Sequence, residues 1–197
     1  LSVLGQVLSA SLAAYAFARL RFPGREFMFL VWLGCMMIPS QVTLIPQFVL
    51  FRSFGWLDTH LPLVVPNFFG SAFGTFLLRQ FFMTIPMELE DAAIVDGCSR
   101  FRIYWNIMMP LAKPAIATLA VFTFMGSWNN LLGPVIYLTT YKKLTLPVGL
   151  AFFRGQYGTE WALLMAGATI SVIPIIALYM FAQQYFVQGV VMSGIKG

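Results

Sequence analysis

Few of the 197 residues could do chemistry, and their spacing decides which kind. Cys35, Cys98 and the single His60 supply neither a disulfide framework nor a metal-ligand spacing. The pattern of glycine, four residues and Gly-Lys-Ser/Thr that cradles nucleotide phosphates is absent. The chain is therefore read as non-catalytic by itself, with no cofactor or metal of its own. Two groupings remain. In the first, Glu90, Asp91, Asp96 and Gly97 surround Ala92 and Ala93. Small side chains let another surface approach the backbone closely, and the carboxylates can meet basic groups on it. In the second, Trp128 stands beside Asn129 and Asn130, an aromatic face next to two amides. Gln41 and Asn67 are further amides inside apolar runs, where polar groups usually face the interior of a helix bundle or hydrogen-bond between helices.

The elements that must position these groups follow from composition. Apolar residues make up 59% of the chain and charged residues only 10%, against about 25% charge in a soluble domain. Too few charges remain to cover a water-facing surface, so a bilayer is the expected solvent. A span needs roughly 20 mostly apolar residues. Five candidates meet that need: Leu1 to Ala18, Phe27 to Phe51, Leu61 to Met83, Pro114 to Leu138, and Trp161 to Phe181. Long apolar runs read as helices, because backbone groups in lipid must satisfy one another. A membrane barrel would instead alternate over segments of about ten residues. Pro39, Pro46, Pro62, Pro66 and Pro174 interrupt or open these runs, and proline kinks or breaks a helix.

Charge orients the bundle. Arg19, Arg21, Arg25, Arg79, Arg100, Arg102, Lys113 and Lys196 fall on one side, which is expected to be cytoplasmic. Arg52, Lys142, Lys143 and Arg154 fall on the other. The first span then starts outside, which implies a further span before Leu1. The net charge of +5 is explained by this bias and by anionic lipid, without nucleic acid.

Residues 84–113 form the longest charged loop and read as two short helices. Pro86 suits a first turn, Glu88, Glu90 and Asp91 favour the positive helix end, and Gly97 suits a left-handed stop. Ser99 caps the second helix and Pro110 is expected to end it. Phe101, Tyr104, Trp105 and Met108 are expected to share a face. Composition alone leaves the first helix either docking a partner or resting on the membrane surface.

Asp91-Ala92-Ala93, then Gly97, Ile107, Met109 and Pro110, resemble in register the Glu-Ala-Ala loop of ABC importer permeases. Asp91 stands for Glu and Met109 for Leu. Four further stretches resemble the carbohydrate branch related to the smaller maltose permease subunit. They are Ala13 to Gly24, Ile38 to Pro46, Trp128-Asn129 with Asn130 where Asp is usual, and Gly194 to Gly197. The resemblance implies an all-α polytopic bundle, a single transmembrane domain over residues 1–197, and six spans in the complete subunit. It implies a second permease subunit, two ATP-binding subunits that hold ATP and magnesium, an extracytoplasmic solute-binding protein, and a sugar as cargo. Residues 84–113 become the cytoplasmic coupling loop, with Glu90, Asp91, Ala92, Ala93, Asp96 and Gly97 at the ATPase. Trp128, Asn129, Asn130, Gln41 and Asn67 become the substrate path. Gln183, Gln184 and the tail from Gln188 are expected to touch the ATPase pair in a bacterial inner membrane, with the C-terminus cytoplasmic. An ion-gradient-driven transporter is the rival, but such proteins place ionisable groups within spans, and only Arg79 lies within a predicted one.

Overall fold

The computed structural model describes the backbone of residues 1–155 and 158–193, and the side chains of 1–153 and 158–184. It is almost entirely helical. In chain order the helices are α1 (Ser2–Arg19), α2 (Arg25–Gly34), α3 (Ser40–Ser53), α4 (Leu61–Val64), α5 (Ala72–Thr84) and α6 (Glu88–Val95). They continue with α7 (Arg100–Ile103), α8 (Met109–Leu111), α9 (Lys113–Trp128), α10 (Leu132–Tyr137), α11 (Leu146–Phe152) and α12 (Trp161–Ser193). The described strands, Arg154–Gly155 and Gly158–Thr159, form one small antiparallel pair before α12.

The core lies where α1 crosses α5, with α9 closing it. Ala10 and Ala14 of α1, Leu78 and Phe82 of α5, and Leu119 of α9 are all fully enclosed. Small residues set the approach, as in membrane helix packing generally. A Cβ on Gly74 would lie 3.0 Å from the Ala10 Cβ and 3.1 Å from Leu119 Cδ1. Ala93, Ile103, Tyr104 and Met108 belong to the same cluster. The charged loop is thus rooted in the core.

The five expected spans meet a more broken chain. Among the described residues, Leu61–Thr84 and Trp161–Gln184 are long and apolar enough to cross a bilayer, and two bent helix pairs would bring the number to four. The run begun by α1 matches its expected limits, but Ser2, Gln6, Ser9 and Ser11 dilute its apolarity. The expected second span turns by 94° between Arg25–Met37 and Ser40–Ser53. Pro39 causes this: the residue before a proline is pushed out of the helical region, and Ile38 is extended at φ −80° and ψ 115°. The third contains a break at Gly70, at φ 99°. The fourth does not reach Leu138, because α9 stops at Trp128 and α10 is separate. The last helix runs beyond Phe181 to Ser193.

Two expectations for the loop also change. Pro110 does not end the second helix, which stays helical through Leu111 before a 78° bend into α9. Proline has no N–H for the carbonyl four residues back, and a wider π turn over Tyr104–Met108 directly precedes it. The expected shared face is split: Tyr104 and Met108 are buried, whereas Phe101 and Trp105 are exposed. Ile103 takes the inward place instead.

Gly74→Leu should separate α1, α5 and α9 and lower stability by about 1–3 kcal/mol. Gly34→Ala, where an added Cβ meets nothing within 4 Å, should leave stability unchanged or raise it. Thermal unfolding in one detergent compares the two.

Candidate functional site: an exposed helix on a buried carboxylate

Helix α6 has two faces. Asp91, Ala92, Val95, Asp96 and Gly97 are exposed, with Val95 at 87%. Glu90 and Ala93 point inward, at 3% and 6% exposure. The six sequence-predicted residues are therefore brought together on one short helix and the turn that ends it, but not on one surface. Four of them can meet a partner directly; Glu90 and Ala93 hold the helix down.

The turn after α6 needs its glycine. Gly97 sits at φ 78°, a region that strains residues with a Cβ by roughly 1–2 kcal/mol. Its N–H donates to the Ile94 carbonyl at 2.9 Å, and the Cys98 N–H donates to the Ala93 carbonyl at 2.9 Å. Ser99 then starts α7, its Oγ accepting from the Arg102 N–H at 3.3 Å. Both punctuation signals were readable in the sequence.

The network beneath α6 was not. Tyr15 Oη donates to Glu90 Oε1 at 2.8 Å, and Arg100 Nη1 donates to the same oxygen at 3.2 Å. Arg19 Nε lies 3.8 Å from Glu90 Oε2, both side chains being 4% exposed. The Nη2 of Arg19 also donates to the carbonyls of Phe82 and Ile85, at the end of α5. Arg19 and Arg100, read from the sequence as loop charges, here serve a carboxylate. Removing one partner of a buried pair typically costs about 3–5 kcal/mol, since the other charge stays buried alone.

A second buried cation stands near the base of α5. Arg79 Nη2 lies 3.2 Å from Glu26 Oε2, its Nε donates to the Phe17 carbonyl at 3.2 Å, and its guanidinium sits 4.1 Å from the Phe29 ring centre. Glu26 opens α2, so the pair fastens α2 to α5.

At the other end of the bundle is a cavity of about 490 Å³. Asn67 and Asn130 line it, as do Ser2, Gln6, His60 and Ser127. The Asn67 Nδ2 donates to the Leu63 carbonyl at 3.0 Å, and Asn130 Oδ1 accepts from the Gly133 N–H at 3.1 Å. The remaining expected path residues lie apart from it. Trp128 donates its Nε1–H to the Ser171 carbonyl at 3.0 Å and stacks on Phe124, joining α9 to α12. Asn129 is exposed at the end of α9, and Gln41 is exposed on α3. Gln183 and Gln184 are exposed. The tail side chains from Gln188 to Gly197 lie outside the described residues.

Residues 6–192 match the family described as binding-protein-dependent transport system inner membrane component. The chain belongs to that family. This permease is 36% identical over 195 residues to an arabinooligosaccharides transport system permease protein of Halalkalibacterium halodurans, covering 99% of this chain and 70% of that one. It is 35% identical over 192 residues to an sn-glycerol-3-phosphate transport system permease protein of Yersinia enterocolitica, covering 96% and 68%. Among solved structures it resembles a bacterial ABC transporter involved in the import of the acidic polysaccharide alginate. That match has a TM-score of 0.79 and 28% identity over 94% of this chain and 71% of the other. The permease is a transport subunit and an inner membrane component.

Beside the cavity, Asp58 clamps two loops together. Its carboxylate accepts from Lys143 Nζ at 2.8 Å, from the Thr140 N–H at 2.8 Å, from the Thr139 N–H at 3.0 Å and from Thr140 Oγ1 at 2.8 Å. The Lys143 ammonium, then the two backbone N–H groups and the Thr140 hydroxyl, hold the Asp58 carboxyl well below the usual carboxylate range. A depressed folded value means the clamp is fully present above the ordinary carboxylate range. It loosens only as pH falls through the lower folded value. Asp58→Asn should therefore raise protease cleavage of the loop around residues 138–145, equally from about pH 5 to 8. Timed proteolysis of the permease in nanodiscs checks this.

Proposed function

We propose that this permease docks an ATP-hydrolysing partner on the exposed face of α6, through Asp91, Ala92, Asp96 and Gly97, and so couples nucleotide-driven closure to alternating access. The observation that carries this reading is a short, exposed helix with a small, acidic face set on a buried carboxylate. Such a helix offers a partner close backbone approach, and it cannot move without pulling on the core. Ser99 to Leu111 then fixes the loop to the bundle. The ATP chemistry belongs to two partner subunits, which hold ATP and magnesium. A second permease subunit completes the pathway, an extracytoplasmic solute-binding protein delivers the cargo, and the 84–113 loop faces the cytoplasm along with the C-terminus.

The cargo is a sugar or oligosaccharide. Support comes from the names of the relatives and from the polar cavity, whose Asn67 Oδ1 and Asn130 Nδ2 take no part in the local bonds above. Gln6, Ser127 and His60 add hydroxyl-matching donors and acceptors. Asn129, Trp128 and Gln41 lie outside this cavity. An ion-gradient mechanism has less support, because Arg79 and Glu26 are already paired with each other.

In the assembled transporter, Asp91→Lys or Gly97→Pro should abolish substrate-stimulated ATP hydrolysis. Proline cannot adopt the φ of Gly97 and removes the N–H given to Ile94. Stimulation at the wild-type level in both variants would sink the docking role. Asn67→Ala with Asn130→Ala should alter uptake kinetics more than Trp128→Phe does, measured with labelled sugar in proteoliposomes.

A further inference from the structure

Glu90 and Asp91 are adjacent in sequence but do different work. Asp91 faces outward. Glu90 is turned into the core, where it accepts from Tyr15 of α1 and Arg100 of α7 and pairs at longer range with Arg19 of α1. The same Arg19 holds the last carbonyls of α5 through its Nη2. One carboxylate thus ties α6 to the ends of two core helices.

The geometry is also asymmetric. Both described hydrogen bonds reach Oε1. Oε2 lies 3.8 Å from Arg19 Nε, whose N–H is buried and has no hydrogen-bond partner. That contact is about 1 Å longer than a charge-assisted hydrogen bond. A slight advance of α6 toward α1 would satisfy a buried donor that is otherwise left open, and a retreat would lengthen the contact. The interaction energy of this pair therefore changes steeply with the position of α6.

We infer that Glu90 is a positioning residue: it fastens α6 to α1 and α5 through Arg19, Tyr15 and Arg100, and makes displacement of α6 a displacement of the bundle. This rests on the reading that a partner docks on the exposed face of α6. Glu90 itself touches neither the partner nor the cargo.

Glu90→Gln keeps the volume and an oxygen for Tyr15 while removing the charge that faces Arg19. In the complete transporter reconstituted with its ATP-hydrolysing subunits, the ratio of substrate-stimulated to basal hydrolysis, per assembled complex, should fall by roughly 2- to 30-fold, the span of coupling changes single side chains produce. A residue with a purely structural part would lower the yield of assembled complex and leave that ratio alone. A wild-type ratio in Glu90→Gln overturns the inference. If Glu90→Gln does not assemble, Tyr15→Phe and Arg100→Gln decide, each deleting one donor without stranding Arg19. A reduced ratio in either supports the inference, and wild-type ratios in both overturn it. Asp91→Lys is run alongside. Lost stimulation there with a wild-type Glu90→Gln sinks the inference alone, while wild-type behaviour in both sinks the docking reading as well.

Discussion

A carboxylate held away from water beside two guanidinium groups is the constraint on which the rest of this structure depends. Glu90 and Arg19 are expensive to bury singly and are held together, with the half-exposed Arg100 closing the group from outside. Their pairing dictates that α6 lies under the ends of α1 and α5. That placement carries Ala93 into the core cluster with Ile103, Tyr104 and Met108. The outward residues of α6 are then presented by default, since no other face of so short a helix remains. Ser11 Oγ lies 2.7 Å from Tyr104 Oη, a further polar contact made inside the bundle.

The two ends of the bundle are organised by the same chemistry under different exposure. Inside, Glu90 and Arg79 are buried, so most of their polar atoms must find partners. Outside, Asp58 gathers an ammonium, two backbone N–H groups and a hydroxyl in a loop open to water. The inner knots join helices; the outer clamp joins the loop at Asp58 to the one at residues 139–143. His60 belongs to both the clamp and the cavity, since its Nε2 lies 3.0 Å from the Lys143 carbonyl.

What the sequence made legible follows physical range. Gly97 and Ser99 announce a left-handed stop and a cap because both act within three residues, and both appear in the structure. Apolar runs announce helices because the period is local. The division of α6 into two faces was hidden, because Tyr15 stands 75 positions before Glu90 and nothing in the segment itself says which carboxylate turns inward. The cavity was only half visible for the same reason: its lining runs from Ser2 to Thr145. Adjacency in sequence did not mean one site: Trp128 reaches Ser171, Asn129 is exposed, and Asn130 lines the cavity.

The corner between α2 and α3 has its own consequence. Ile38 is extended and Pro39 has no N–H, so the helical ladder stops with the Ile38 N–H on the Cys35 carbonyl. The last carbonyls of the turn lack intrahelical donors, as at any helix end. Hydrocarbon offers no replacement. The corner, where Met36, Met37 and Ile38 are exposed, therefore belongs against another polypeptide or against water, and a lipid tail is the one neighbour it excludes. A proline chosen for its geometry has thereby fixed where this chain's lipid-facing perimeter must be interrupted.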